Sequence, residues 1–177
     1  MNKTFLGAAL AATTLLGTYT AAAADGAITF TGEVTSSSCP IKGGDTPGSS
    51  SITVAMGSVS KSSFEDYKPI AANEFGLHLG DGVDPSCVNG KVGRLFFDGA
   101  NISPDNNIKN TGTATGVEVR LSQNGVPLNL TTDKIEFPGL VNGEADTKVT
   151  AELIAPRAAD VKEGDLKAVG TFTLVFN

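Results

Sequence analysis

The sequence predicts an all-β protein with the strands of a sandwich or barrel, and three observations support this fold class. Apolar and polar residues alternate with a period of two in several short segments, such as residues 75–79 and 92–97. This alternation is typical of half-buried strands. Pairs of turn-forming residues such as Asn124-Gly125 separate the segments, and no window sustains a helical period.

The alternating segments are predicted as strands and the dipeptides between them as turns. The predicted strands are residues 28–34, 51–56, 75–79, 92–97, 117–121, 148–153 and 171–176. The turn signals are Asn89-Gly90, Asp98-Gly99, Asn124-Gly125, Pro138-Gly139 and Asn142-Gly143. Because there is neither an internal repeat nor a linker, we expect one domain after the N-terminal segment.

Composition and charge exclude several functions. The chain has 177 residues, with 13 Lys and Arg against 19 Asp and Glu, and a net charge of −6. Electrostatic binding to nucleic acid or an anionic membrane is therefore not expected. One histidine and two cysteines are too few for a standard structural zinc site, and we expect no metal or cofactor. His78 has no accompanying GxSxG nucleophile motif, so the sequence does not indicate an enzyme.

The first 24 residues are predicted to be a secretory signal peptide. Lys3 precedes an apolar stretch of about 12 residues, and four alanines at 21–24 allow cleavage before Ala24 or Asp25. The alternative is a membrane anchor, but a spanning helix needs about 20 apolar residues. We therefore expect an exported protein that is not embedded in the membrane.

Export of the protein affects the expected chemical state of its two cysteines. Cys39 and Cys87 would reach an oxidising compartment, where one disulfide between them is expected. The alternative is a pair of free, reactive thiols. Neither cysteine lies in a CxxC motif or beside a histidine, which favours the disulfide.

The two ends of the mature chain carry the most informative alternation. At the C-terminal end, one strand face is formed by Gly164, Leu166, Ala168, Gly170, Phe172, Leu174 and Phe176. At the N-terminal end, one face is formed by Gly26, Ile28, Phe30, Gly32 and Val34. The opposite face of the N-terminal segment carries Ala27, Thr29, Thr31, Glu33 and Thr35.

These ends and the cysteine spacing resemble a known family. Residues 25–34 followed by Cys39, the second cysteine at position 87, residues 116–121 running on to 126–128, and the final residues 170–177 occur in order. Gly164 is fourteenth from the end, and the aromatic Phe176 is next to last, where the family more often has Tyr. In this combination the chain resembles the fimbrial (pilin) subunits of the chaperone–usher pathway, of the type 1 kind.

The resemblance implies an incomplete immunoglobulin-like β-sandwich that a donor strand completes. Residues 25–36 would be an N-terminal extension that donates this strand, running into the first strand, and residues 37–177 would be the pilin domain. The C-terminal face listed above would line the groove that receives a donor. The implied partners are a periplasmic pilus chaperone, an outer-membrane usher and neighbouring pilin subunits, and the implied location is a cell-surface fimbrium reached through the periplasm.

Other functions stay open at this point. A shaft subunit and an adaptor subunit would carry the same features. A ligand-binding adhesin would need a further domain ahead of the pilin pattern. A secreted, self-contained β-sandwich binding module would have a complete sheet of its own and no use for the extension.

Overall fold

The computed structural model describes residues 39–43 and 52–177. The strands in these ranges are β1 (Ile41–Gly43), β2 (Ile70–Gly80), β3 (Val92–Phe97), β4 (Ile108–Lys109), β5 (Glu118–Gln123), β6 (Val126–Pro127), β7 (Ile135–Gly139), β8 (Glu144–Ile154) and β9 (Phe172–Phe176). Three short 3₁₀ helices lie at Lys61–Ser63, Gly99–Asn101 and Ala158–Asp160. This described part contains no α-helix.

The strands form two antiparallel sheets. The larger sheet has the order β1-β2-β8-β5-β4, with β6 paired to β5. The smaller sheet has the order β7-β3-β9. The two sheets pack face to face as a sandwich, so the predicted all-β sandwich is confirmed.

Two of the predicted Asn-Gly turns have the backbone that a tight hairpin needs. Asn124 (φ 53°) and Gly125 (φ 76°) connect β5 to β6, and Asn142 (φ 54°) and Gly143 (φ 78°) lead into β8. Positive φ at both central residues matches the twist of the flanking strands. Asparagine and glycine tolerate this conformation, which is why the dipeptide predicts the turn correctly.

The core is formed by the inward face of each strand. Strands of both sheets supply four of its most completely buried side chains, which are Leu79, Leu95, Ile135 and Val149. Segments between or before the strands supply three more, which are Cys39, Leu130 and Leu140. On β2, buried Leu77 and Leu79 alternate with His78, whose Nδ1 lies 2.9 Å from Oδ1 of Asp146 on β8. The period of two in the sequence therefore separates the two faces of the strand.

Charged cross-strand pairs cover the outer face of the larger sheet. Lys148 Nζ lies 2.6 Å from Glu74 Oε1, and Arg120 Nη2 lies 2.9 Å from Glu152 Oε2. The hydrogen bond and the charge of Glu74 raise the pKa of Lys148 above its ordinary value. Such pairs suit a surface that stays in water.

Two local predictions are wrong. Pro138 and Gly139 were expected to form a turn, but both lie in β7, whose one partner among the described strands is β3. Residues 51–56 were expected to form a strand; residues 52–56 belong to no strand of either sheet, and of these only Thr53 takes part in a β-bridge. Their burial still alternates, with Ile52, Val54 and Met56 packed against the core.

Candidate functional site

Among the described strands, the C-terminal strand β9 lies at an edge of its sheet. It pairs antiparallel with β3, with Gly93 opposite Phe176 and Phe97 opposite Phe172. No other strand in the described ranges pairs with β9. A row of backbone N–H and C=O groups along its second edge thus has no partner in the part of the chain described.

The hydrogen bonds beyond the ends of the β3–β9 ladder identify which residues form this row. The N–H of Asp98 donates to the carbonyl of Thr171 at 2.8 Å, and the N–H of Asn177 donates to the carbonyl of Val92 at 3.2 Å. In an antiparallel ladder, alternate residues direct their backbone groups to the same neighbour. The backbone N–H and C=O groups therefore point to β3 at alternate residues, namely Thr171, Thr173, Val175 and Asn177. At the residues between them, Phe172, Leu174 and Phe176, these groups point to the open edge.

The same three residues carry the inward-facing side chains. Phe172, Leu174 and Phe176 are half-buried against the core, whereas Thr173 and Val175 are exposed. The open backbone groups and the incompletely covered apolar side chains therefore belong to the same residues. A further strand at this edge would form hydrogen bonds with the open backbone groups and would cover the apolar side chains.

Residues of strand β3 lie next to these side chains. The rings of Phe97 and Phe172 meet edge to face, with centroids 6.3 Å apart. A Cβ added to Gly93 would contact Leu79 of the opposite sheet and would lie 3.3 Å from Leu174 Cδ1. Glycine at position 93 thus leaves room for the large side chains of β9.

The predicted C-terminal face continues beyond β9, but its first part has another neighbour. Leu166, Ala168 and Gly170 are half-buried and Gly164 is exposed. The N–H of Thr111 donates to the carbonyl of Lys167 at 2.8 Å, and the N–H of Ala114 donates to the carbonyl of Asp165 at 3.1 Å. The listed residues therefore share one alternating face, but Gly164 to Gly170 lie along the loop 110–115 and precede the strand.

The edge also lacks the charges that ordinarily protect an exposed strand. Residues 168–177 contain no Asp, Glu, Lys or Arg. Natural proteins commonly place lysines, prolines or inward-pointing charges on open edges to prevent pairing with another chain. The absence of such charges from residues 168–177 favours an edge that pairs with another strand.

The predicted disulfide is confirmed. Cys39 and Cys87 are bonded, with their Cα atoms 5.1 Å apart and both side chains buried. The bond fixes the start of the described chain to the loop between β2 and β3. In the ranges the structure describes, no group of acidic, histidine or cysteine side chains is arranged to hold a metal ion.

The predicted donor residues Gly26, Ile28, Phe30, Gly32 and Val34 lie outside the described residues, as does the predicted signal peptide. Sequence reasoning missed Gly93 and Phe97 as parts of the site. The alternation of Gly93, Leu95 and Phe97 within β3 already indicated a single inward face. What it did not indicate was that β9 would be the neighbour of that face.

Comparison with known proteins identifies the family. The family described as "Fimbrial protein" matches residues 28–177. The chain belongs to the fimbrial protein family. It is 30% identical over 170 residues to the "Major fimbrial subunit SMF-1" of Stenotrophomonas maltophilia (strain K279a), covering 88% of this chain and 94% of that protein.

Solved structures of fimbrial proteins have the same fold. The P pilus rod subunit PapA superimposes with a TM-score of 0.60 at 20% identity, over 78% of this chain and all of that one. A subunit of a chaperone–usher pilus gives a TM-score of 0.53 at 22% identity, over 87% of this chain and 96% of that one. Both comparisons support the pilin fold.

The fimbrial family places the protein in a cell-surface fimbria as a structural subunit. In the described ranges, no helix is both long and apolar enough to cross a membrane.

Proposed function

We propose that this structural subunit polymerises by donor-strand exchange. Residues 37–177 form the accepting domain, and residues 25–36 form the strand that is donated to a neighbour. The observation that carries the proposal is the coincidence on β9: Phe172, Leu174 and Phe176 present half-buried apolar side chains together with backbone groups that have no partner among the described residues. An added strand would meet both requirements at once.

The donor segment has the composition that such an edge needs. Ile28, Phe30 and Val34 share one face, and full burial of each side chain contributes about 1.5–3 kcal/mol. Together they supply roughly 5–9 kcal/mol before the cost of ordering the segment. Gly32 lies between Phe30 and Val34 on that face and would suit a narrow point in the groove.

The partners follow from the same edge. Before assembly, an uncharged edge with exposed apolar side chains would aggregate unless another strand covered it. We propose that a periplasmic pilus chaperone covers it with its own strand, and that an outer-membrane usher is the place where a subunit's extension replaces that strand. Residues 1–24 would direct the export into the periplasm.

Two other functions are less well supported. A secreted, self-contained β-sandwich would give no role to an edge strand of this composition, and a ligand-binding adhesin would give no role to a donor segment at residues 25–36. Membership in a family of structural fimbrial proteins agrees with a non-enzymatic role.

The test uses a variant that accepts a strand but does not donate one. Phe30→Asp places a charge on the apolar face of the donor segment, and Thr29→Asp places the same charge one residue away on the opposite face. Mixed with chaperone-bound wild-type subunits, Phe30→Asp is expected to cap growing polymers and shorten the SDS-resistant ladder, whereas Thr29→Asp is expected to polymerise normally. Equal polymer lengths for the two variants would contradict the proposal.

A further inference from the structure

Three exposed valines lie on loops at one end of the sandwich. Val83 is 83% exposed, Val141 is 69% exposed and Val88 is 51% exposed. Val83 and Val88 belong to the loop between β2 and β3, and Val141 belongs to the turn before β8. Single exposed valines are common, but these three lie on two loops that are close in space.

Hydrogen bonds hold these two loops together. The N–H of Gly90 donates to the carbonyl of Leu140 at 2.9 Å, and the N–H of Gly143 donates to Oδ1 of Asn89 at 2.7 Å. A Cβ on Gly143 would lie 3.4 Å from the Cα of Gly82. The loops therefore form one surface, called here the valine platform and defined by Val83, Val88 and Val141.

The loop that carries Val83 is ordered by its own carboxylates. Oδ1 of Asp81 accepts hydrogen bonds from the backbone N–H of Asp84 at 2.8 Å and of Val83 at 3.0 Å. Oδ1 of Asp84 accepts from the N–H and the hydroxyl of Ser86. The bonds to Asp81 lower the pKa of that carboxyl below its ordinary value. A loop ordered in this way loses little conformational entropy when a partner covers it.

The loop between β2 and β3, which carries Val83 and Val88, is attached to Cys39. Cys87, next to Val88, is bonded to Cys39, and the N–H of Gly80 donates to the carbonyl of Pro40 at 2.7 Å. The platform is thus within a few residues of Cys39 along the disulfide.

The tether between Cys39 and the donor segment is short. Five residue steps separate Val34 from Cys39, and an extended chain spans at most about 17–18 Å over that distance. A neighbour that accepts Val34 in its groove must therefore come within that distance of Cys39, which brings its body against the same end of the sandwich.

We propose that the valine platform is a second contact between subunits, and that it docks on the body of the copy that accepts this chain's residues 25–36. The inference rests on the proposed function, since the short tether determines the occupant. The donated strand makes the linkage, and the platform sets the angle between successive subunits and restricts their bending.

The test measures the distance between two linked subunits. A dimer is prepared from a Phe30→Asp chain, which accepts only, and a donor chain whose own groove is filled with a synthetic peptide of residues 25–36. Both carry a spin label at Ser58→Cys, an exposed position. Pulsed electron paramagnetic resonance then gives the label-to-label distance distribution. Donor chains carry the wild-type platform, Val83→Asp with Val88→Asp, or Val126→Asp, a control at an exposed valine of the β5–β6 hairpin.

The wild-type and Val126→Asp dimers are expected to give one narrow distance peak, and the platform variant a broad distribution with the same yield of SDS-resistant dimer. A narrow peak for the platform variant, or a broad one for the wild type, would overturn the inference. Failure of the wild type to form an SDS-resistant dimer would instead count against the proposed function. If the charged variant unfolds on its own, Val83→Ser replaces it, with the same expected broadening.

Discussion

Replacing the amide of Leu174 by an ester is expected to weaken donor binding more than it weakens the subunit. The ester removes the N–H of Leu174 and keeps the side chain, and it makes the carbonyl of Thr173 a weaker acceptor for β3. The backbone groups of Thr171 and Asn177 form hydrogen bonds with β3. Because backbone direction alternates along a strand, those of Leu174 point to the open edge of β9. The subunit alone therefore loses no hydrogen bond that the described residues make.

The magnitude follows from a single hydrogen bond. A backbone hydrogen bond contributes about 0.5–1.5 kcal/mol net. Losing one at the open edge should raise the dissociation constant of a donor peptide about 2- to 13-fold. The matched change at Val175, whose backbone groups face β3, should instead lower the free energy of unfolding of the subunit by about 0.5–1.5 kcal/mol.

The assay uses semisynthetic acceptor chains that begin at residue 37 and a fluorescent peptide of residues 25–36. Fluorescence anisotropy gives the dissociation constant, and denaturant unfolding of the peptide-free chain gives the stability. The Leu174 ester should mainly lower the peptide affinity, and the Val175 ester should mainly lower the stability. Loss of stability with unchanged peptide affinity for the Leu174 ester would refute the assigned direction of the backbone groups.

Three further predictions concern other parts of the chain. Replacing Cys39 and Cys87 by serine should lower the free energy of unfolding by about 4 kcal/mol, because the disulfide closes a loop of 48 residues. Chemical denaturation measures this loss, and an unchanged midpoint of unfolding would contradict the prediction. Gly32→Leu should slow or block polymer formation while the subunit still unfolds cooperatively, and incorporation at the wild-type rate would argue against a narrow point in the groove. Asp81→Asn should make amide exchange in the loop between β2 and β3 faster. The pKa of Asp81 is lowered in the folded state, so the stabilisation by its carboxylate is present above pH 3.8 and is lost as the pH falls below that value. If Asp81→Asn and the wild type exchange these amides at equal rates at neutral pH, the carboxylate does not order the loop.

The strands with one buried face were predictable from the sequence. Residues 92–97 were predicted and are β3, because Leu95 and Phe97 alternate with exposed or partly exposed neighbours. The Asn-Gly dipeptides were predictable because few residues accept positive φ. In both cases the signal is local to the chain.

Pairing between distant residues was less predictable. Pro138 indicated a turn because proline lacks an N–H, but among the described strands β7 pairs with β3 on one side only, and proline is tolerated in such an outer strand. Ile52 and Val54 alternate like a strand although they belong to neither sheet. Burial requires only an extended segment that lies on the core, whereas a strand also requires a partner at the correct distance.

The candidate site shows the same division. Phe172, Leu174 and Phe176 were recognised from their alternation, and the structure shows them on one half-buried face. That β9 has only β3 beside it in the described chain is a property of the sheet order, which alternation does not contain. The valine platform was not predicted, because Val83, Val88 and Val141 come together only through contacts between two loops.

Amide hydrogen exchange along β9 tests the central claim most directly. In the subunit before it receives a donor, the amides of Thr173 and Val175 should be protected by β3, and those of Leu174 and Phe176 should exchange rapidly. In the polymer, or after addition of the peptide of residues 25–36, all four should be protected. Unchanged rapid exchange at Leu174 and Phe176 in an SDS-resistant polymer would contradict the claim that the open edge of β9 receives the neighbour's strand.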